Sequence, residues 1–164
     1  AKGPLVTRKL TDYHLKLYAA RHHLENHALI RTKEDLRQHV LIGYIPDFIY
    51  AEGLRYLSEI DPELTPQFSS SSINVQHALT HAGQGIAVLP QFIGAQDDTL
   101  VPLLADEMRI ERTFWIVVHQ DLSRVARVRA VMDWLKQLVA QNAALFTQAD
   151  LTGAGASQRV SANE

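Results

Sequence analysis

The stretch "GIAVLP", Gly85 to Pro90, is an uninterrupted apolar run of strand length. A strand that is apolar on both sides has to be covered on both sides, which calls for a sheet sandwiched between helices. Its flanks supply such helices. From Ser72 to Ala82, Val75, Ala78, Leu79 and Ala82 recur at i, i+3, i+4 and i+7, the inward stripe expected of an amphipathic helix, and Gly83 or Gly85 can provide the left-handed residue that closes it. "VLIGYI", residues 40–45, is a second buried strand stopped by Pro46.

The rest of the chain keeps alternating. Tyr13, Leu15 and Leu17 interleave with His14, Lys16 and Tyr18, which predicts a half-buried strand, and "AARHHLENHA" follows as a short helix or turn. Thr32 with Asp35 resembles a capping box opening a helix over "KEDLRQH". Leu54, Leu57 and Ile60 predict a helix over Ala51 to Ile60, ended by "DPELTP". "QFSS", "LVPLL" and "TFWIVVH" read as strands. A last helix is predicted from Ser123 to Phe146, with Val128, Val131, Met132, Leu135, Leu138 and Val139 inward and Arg124, Arg127 and Arg129 outside. Residues 147–164 are small and polar without period, the pattern of a disordered tail. Strands alternating with helices define an α/β protein, and 164 residues with 46% hydrophobic content can fill one core or two small lobes.

Composition excludes several functions. Lysine plus arginine number 16 against 18 acidic residues, so the chain lacks the basic field on which non-specific nucleic-acid binding depends. The absence of cysteine removes disulfides, thiolate metal sites and cysteine nucleophiles together. No apolar run approaches the ~20 residues needed to cross a bilayer, and "AKGPLVTRKL" has no signal-peptide core. The expected location is the cytoplasm. The chain starts without a helix cap, as a fragment of a longer polypeptide would.

Four serines, Ser69 to Ser72, stand where a strand ends and a helix begins, so hydroxyls and unpaired N–H groups converge there. Such a site binds carboxylates or phosphates; the competing reading is that Ser71 or Ser72 only caps the helix, worth roughly 1 kcal/mol. A nucleophilic Ser71 assisted by His77 lacks the Gly-x-Ser-x-Gly elbow and would place the pair on opposed sides of one helix. His77 and His81 are four apart and could share a metal, but with no acidic neighbour in their helix they read as a polar face beside Asn74. "GQGIAVLP" has glycines between helix and strand, the reverse of a phosphate-binding loop. Asp47 lies beyond the carboxyl end of a strand, where open α/β sheets place ligands, although taken alone it reads first as a surface turn residue.

Taken in order, "LVTRKLTDYHLKLYAA", "EDLRQHVLIGY", "FSSSSINVQHALTHAGQGIAVLP", "LVPLL", "FWIVVH" and "RVRAVMDWLKQLV" resemble the effector-binding domain of LysR-type transcriptional regulators over roughly Pro4 to Phe146. The resemblance implies a type 2 periplasmic-binding-protein-like fold of two α/β lobes. Residues 1–6 would cross over from the first lobe, 7–119 form a nearly complete second lobe, and 120–146 supply a crossover and the C-terminal helix of the first. It further implies a small, anionic effector in an interlobe cleft, contacted by Ser70, Ser71, Ser72 and Asn74 and, opposite, by Tyr44, Ile45 and Asp47. A homodimer or tetramer would reach DNA only through a domain outside this chain. Neither cofactor, metal nor catalytic residue is expected; the alternatives are a stand-alone solute-binding protein of the same fold and, behind it, a small serine hydrolase using Ser71.

Overall fold

The structure, a computed structural model, describes residues 4–49 and 51–147. Its axis is a long strand, β1 (Leu5–Ala20), whose residues from His14 to Ala20 are all buried. The alternating pattern predicts a half-buried strand there, but both faces are covered. Leu15, Leu17 and Ala19 enter one apolar cluster, and Tyr18 and Ala20 enter a second on the opposite face. The intervening letters misled because Tyr18 and Lys16 carry long apolar bodies that bury well despite a polar tip.

After the short helix α1 (Arg21–Leu24), a 3-10 turn at Glu34–Gln38 leads into β2 (Leu41–Gly43). The Thr32–Asp35 box is present in its return half: Asp35 Oδ2 accepts from the N–H groups of Arg31 and Thr32 at 2.8 and 2.9 Å. Those backbone donors lower the Asp35 pKa. The helix predicted over Ala51 to Ile60 is broken at Arg55 into a 3-10 turn, Glu52–Leu54, and α2 (Tyr56–Ile60). Next come β3 (Phe68–Ser69), α3 (Ile73–His81), β4 (Ile86–Pro90), α4 (Gln91–Gly94), β5 (Leu100–Leu103) and β6 (Ile110–His119).

The strands form one mixed sheet in the order β3-β2-β4-β1-β5, with β6 paired to β1 off this path. β2 runs parallel to both β3 and β4, whereas β1 is antiparallel to β4, β5 and β6. "GIAVLP" fulfils its pattern, since every residue of β4 is buried. Leu36 and α2 cover one face of the sheet, and Ile73 and Leu79 of α3 cover the other. Each fully buried leucine or isoleucine of these clusters contributes about 1.5–3 kcal/mol.

The orientation of α3 departs from the hydrophobic stripe. Val75, Ala78 and Ala82 face solvent, while Gln76 and Thr80 are buried. The two polar side chains satisfy themselves locally: Gln76 Nε2 donates to the Ser70 carbonyl at 2.9 Å and Thr80 Oγ1 donates to the Gln76 carbonyl at 2.8 Å. Burial therefore costs them little. Gly83, at φ 73°, supplies the left-handed residue that ends the helix.

The chain finishes with α5 (Ala126–Gln141) and α6 (Ala143–Thr147), separated at Asn142 where a single helix is predicted. Met132 and Val139 are buried and Val128 and Leu135 half-buried, but Val131 and Leu138 of the predicted inward stripe are exposed. Phe146 of α6 packs on Phe92, which also meets Phe114 and Tyr13. Of the tail 147–164, Thr147 belongs to α6 and residues 148–164 lie outside the described residues, as do 1–3 of the crossover.

Candidate functional site at the carboxyl ends of the parallel strands

Sheet register brings the two predicted segments together. Ile42 pairs with Phe68 and Gly43 with Ser69 in parallel, so β2 and β3 end side by side, and Ser70 N–H donates to the Gly43 carbonyl at 3.0 Å. Tyr44, Ile45 and Asp47 therefore leave the sheet beside Ser70, Ser71, Ser72 and Asn74. Tyr44 and Ile45 are half-buried, with the Tyr44 ring edge-on to Tyr56, and Asp47 is exposed in the 3-10 turn Pro46–Phe48. Ser70 and Ser72 are half-buried, and Ser71 and Asn74 are exposed.

The serines divide their work. Ser70 is engaged locally: its Oγ accepts from Ser72 N–H at 3.1 Å and its carbonyl accepts from Gln76 Nε2. Ser72 occupies the N-cap of α3, yet its side chain makes no cap hydrogen bond. The first intrahelical bond is Gln76 N–H to the Ser72 carbonyl, which leaves the N–H groups of Ile73, Asn74 and Val75 ahead of it. Capping by its own hydroxyl thus does not account for Ser72, and the first N–H groups of α3 have no acceptor within the helix.

The same register fixes what lies opposite. Leu15 of β1 pairs with Pro90, the last residue of β4, so the earlier part of β1 runs out beyond the carboxyl ends of the parallel strands. There it pairs with β6 from Leu5↔His119 to Leu15↔Ile110, interrupted by a bulge between Lys9 and Thr11. This ribbon, with α5, exposes Leu5, Trp115, Val117, Val131 and Trp134.

The two histidine groups are explained by local bonding. His77 Nε2 and His81 Nδ1 both donate to Asp97 Oδ2, at 2.9 and 2.8 Å, so the pair ties α3 to the loop before β5. Burial alone would raise the Asp97 pKa, but hydrogen bonds from Thr99, His81 and His77 hold it well below the usual carboxylate range. No sequence neighbour of the pair pointed to Asp97, which arrives from a different loop. His77 is thereby turned to Asp97, and no hydrogen bond joins it to Ser71 among the described residues. Elsewhere His23 donates through Nδ1 to the Gly83 carbonyl and stacks on His27, with His39 beside both. Burial lowers the pKa of His23 and, with added repulsion from its imidazole neighbours, that of His39. Among the described residues no group of three acidic or imidazole side chains is arranged to hold a metal ion, and no helix is long and apolar enough to cross a membrane.

Sequence reasoning missed a cavity of about 210 Å³ beneath the Tyr44 loop, walled by Gly43, Tyr44, Tyr56, Leu57, Leu64 and Val88 among others. The only signal for it was Tyr56, buried one position before the predicted Leu57.

Comparison with known proteins identifies the family and the fold. Residues 2–140 match the LysR substrate binding domain family. The HTH-type transcriptional regulator CrgA of Neisseria meningitidis serogroup C is 26% identical, with 84% of this chain and 48% of that protein covered. The chain thus spans about half the length of the curated relatives it matches. The solved CrgA regulatory domain superposes with a TM-score of 0.71 at 25% identity, over 82% of this chain and 68% of that one. The regulatory domain of AphB in Vibrio vulnificus, at 21% identity, shares the fold with a TM-score of 0.61 over 81% and 70%. The chain belongs to the LysR family of transcriptional regulators, as a substrate-binding domain of periplasmic-binding-protein-like fold.

Proposed function

We propose that this chain is the ligand-sensing lobe of a cytoplasmic, non-enzymatic LysR-type regulator, and that a small organic anion binds at the start of α3. The observation that carries this reading is the placement of the uncommitted Ser71 and Ser72 hydroxyls and the Ile73–Val75 N–H groups beside the Tyr44–Asp47 loop, at the end from which the β1–β6 ribbon projects. An anion there gains from the helix dipole, about 0.3–1 kcal/mol, and from charge-assisted hydrogen bonds of about 1.5–3 kcal/mol each.

The apolar side chains left on the ribbon and α5 support the second half of the reading: further polypeptide of the regulator completes a first lobe that packs on them, with residues 4–6 crossing over to it and residues 120–146 supplying a crossover and its C-terminal helix. A cleft then lies between that lobe and the serines. Closure of the cleft around the anion shifts the population of lobe orientations. In a homodimer or tetramer the shift re-spaces DNA-binding modules carried elsewhere in the polypeptide. The test is calorimetry on the intact regulator with effectors found by a thermal-shift screen of metabolites. Ser71→Ala with Ser72→Ala weakens a carboxylate effector at least tenfold; unchanged affinity contradicts the reading.

A further inference from the structure

We infer that the cavity beneath the Tyr44 loop is the seat of the effector's apolar body, so that the ligand class is an organic anion carrying a single ring or a branched chain of that size. The inference rests on the anion reading above and adds to it a subsite that lies within this lobe. The first observation is size: the cavity holds about 210 Å³, whereas an apolar cavity of roughly 150 Å³ suffices to bind benzene. The second is wall chemistry. Leu57, Leu64 and Val88 are buried side chains, and Tyr44 and Tyr56 meet edge-on at 5.7 Å between ring centroids. An aromatic or branched group entering there replaces empty space with dispersion contacts.

The third observation is connection to the anion site. Gly43, in the wall, accepts the Ser70 N–H, and Gln76, also in the wall, donates to the Ser70 carbonyl. The serine segment and the cavity are thus joined through two direct hydrogen bonds. Gly43 also keeps the wall open in a specific way. A Cβ at this position would lie 3.2 Å from both Leu57 Cδ1 and Pro66 Cβ, closer than side chains ordinarily pack.

The experiment uses three probes on this chain, read by methyl NMR at Leu57, Leu64 and Val88: phenylacetate, with ring and charge; benzyl alcohol, with the ring alone; and acetate, with the charge alone. Both ring compounds shift these methyl signals and acetate does not. Leu54→Trp, at a half-buried wall position, weakens both ring compounds at least tenfold, and Ile49→Trp does the same where the first variant fails to fold. The double variant Ser71→Ala with Ser72→Ala weakens phenylacetate but leaves benzyl alcohol unchanged. If benzyl alcohol binds with these signatures while the serine variants treat phenylacetate as wild type does, the cavity stands and the anion reading falls. Wall methyl signals unmoved by either ring compound at millimolar concentration overturn the inference, while serine-dependent binding of acetate would still sustain the anion site.

Discussion

The two halves of β1 behave as different materials. From His14 to Ala20 the strand is covered on both faces and pairs with β4 over Leu15–Tyr18 and with β5 over Leu17–Ala20, whereas from Leu5 to Asp12 it is part of a ribbon with β6 and none of these residues is fully buried. The first half belongs to a lobe that closes its own core with α2 and α3. The ribbon of the other half with β6, together with α5, holds large apolar side chains in water: Trp115 of β6 is 56% and Trp134 of α5 58% exposed. Burial of one strand thus changes along its length at about Tyr13, where a segment covered on both faces gives way to a ribbon that leaves large apolar side chains exposed.

Substitution in each half gives the largest contrast. Leu17→Ala, at a fully buried position, costs about 2–5 kcal/mol in urea unfolding. Val117→Ala, 54% exposed on the ribbon, stays within about 0.5 kcal/mol. Equal effects would erase the distinction. A smaller contrast comes from carboxylates. Asp97→Ala strands the donors of His77, His81 and Thr99 and lowers stability by about 1–3 kcal/mol. Asp133→Ala breaks only an exposed pair with Lys136 on α5 and changes it by less than about 0.5 kcal/mol.

Acidity sharpens the same comparison. His23 and His39 are buried in the lobe with pKa values below the ordinary 6.5, so on falling below that pH the unfolded chain takes up protons that the folded rings resist. Stability accordingly declines as pH drops from about 6.5 toward the folded values. His39→Leu flattens this decline in chemical denaturation measured at several pH values, and an unaltered slope would remove the histidines from the account. The smallest effect is expected on the exposed side: Trp115→Ser with Trp134→Ser leaves the unfolding midpoint of this chain nearly unchanged and reduces its self-association in sedimentation. A lowered midpoint would mean that the ribbon and α5 already form a closed core.

Much of this architecture is legible in the residues because burial is announced by uninterrupted apolar runs, as in β4, and by proline and glycine at the ends of elements, as at Pro46 and Gly83. Orientation is harder. The α3 stripe of Val75, Ala78 and Ala82 points outward because Gln76 and Thr80 find partners within the helix and its preceding loop, an arrangement that hydrophobic periodicity does not encode. On α5 the apolar positions outnumber those one lobe can cover, so Val131 and Leu138 stay exposed. At the candidate site, the family resemblance sets Tyr44–Asp47 opposite Ser70–Asn74, whereas the parallel pairing of β2 with β3 makes the two segments leave the sheet side by side. Asp97 was illegible because it reaches the two histidines from a different loop, and the cavity because it depends on how the Tyr44 loop, α2 and the Pro62–Pro66 stretch pack together, which periodicity does not encode.

Titration calorimetry on the intact regulator, with its best metabolite from a thermal-shift screen, tests the central claim most directly. Wild type should bind a carboxylate-bearing compound, with Ser71→Ala and Ser72→Ala each weakening it by about 1 kcal/mol or more while an exposed change remote from the site, such as Lys136→Ala, leaves it unaltered. Equal affinity in wild type and the double serine variant would contradict the claim that the start of α3 holds the effector.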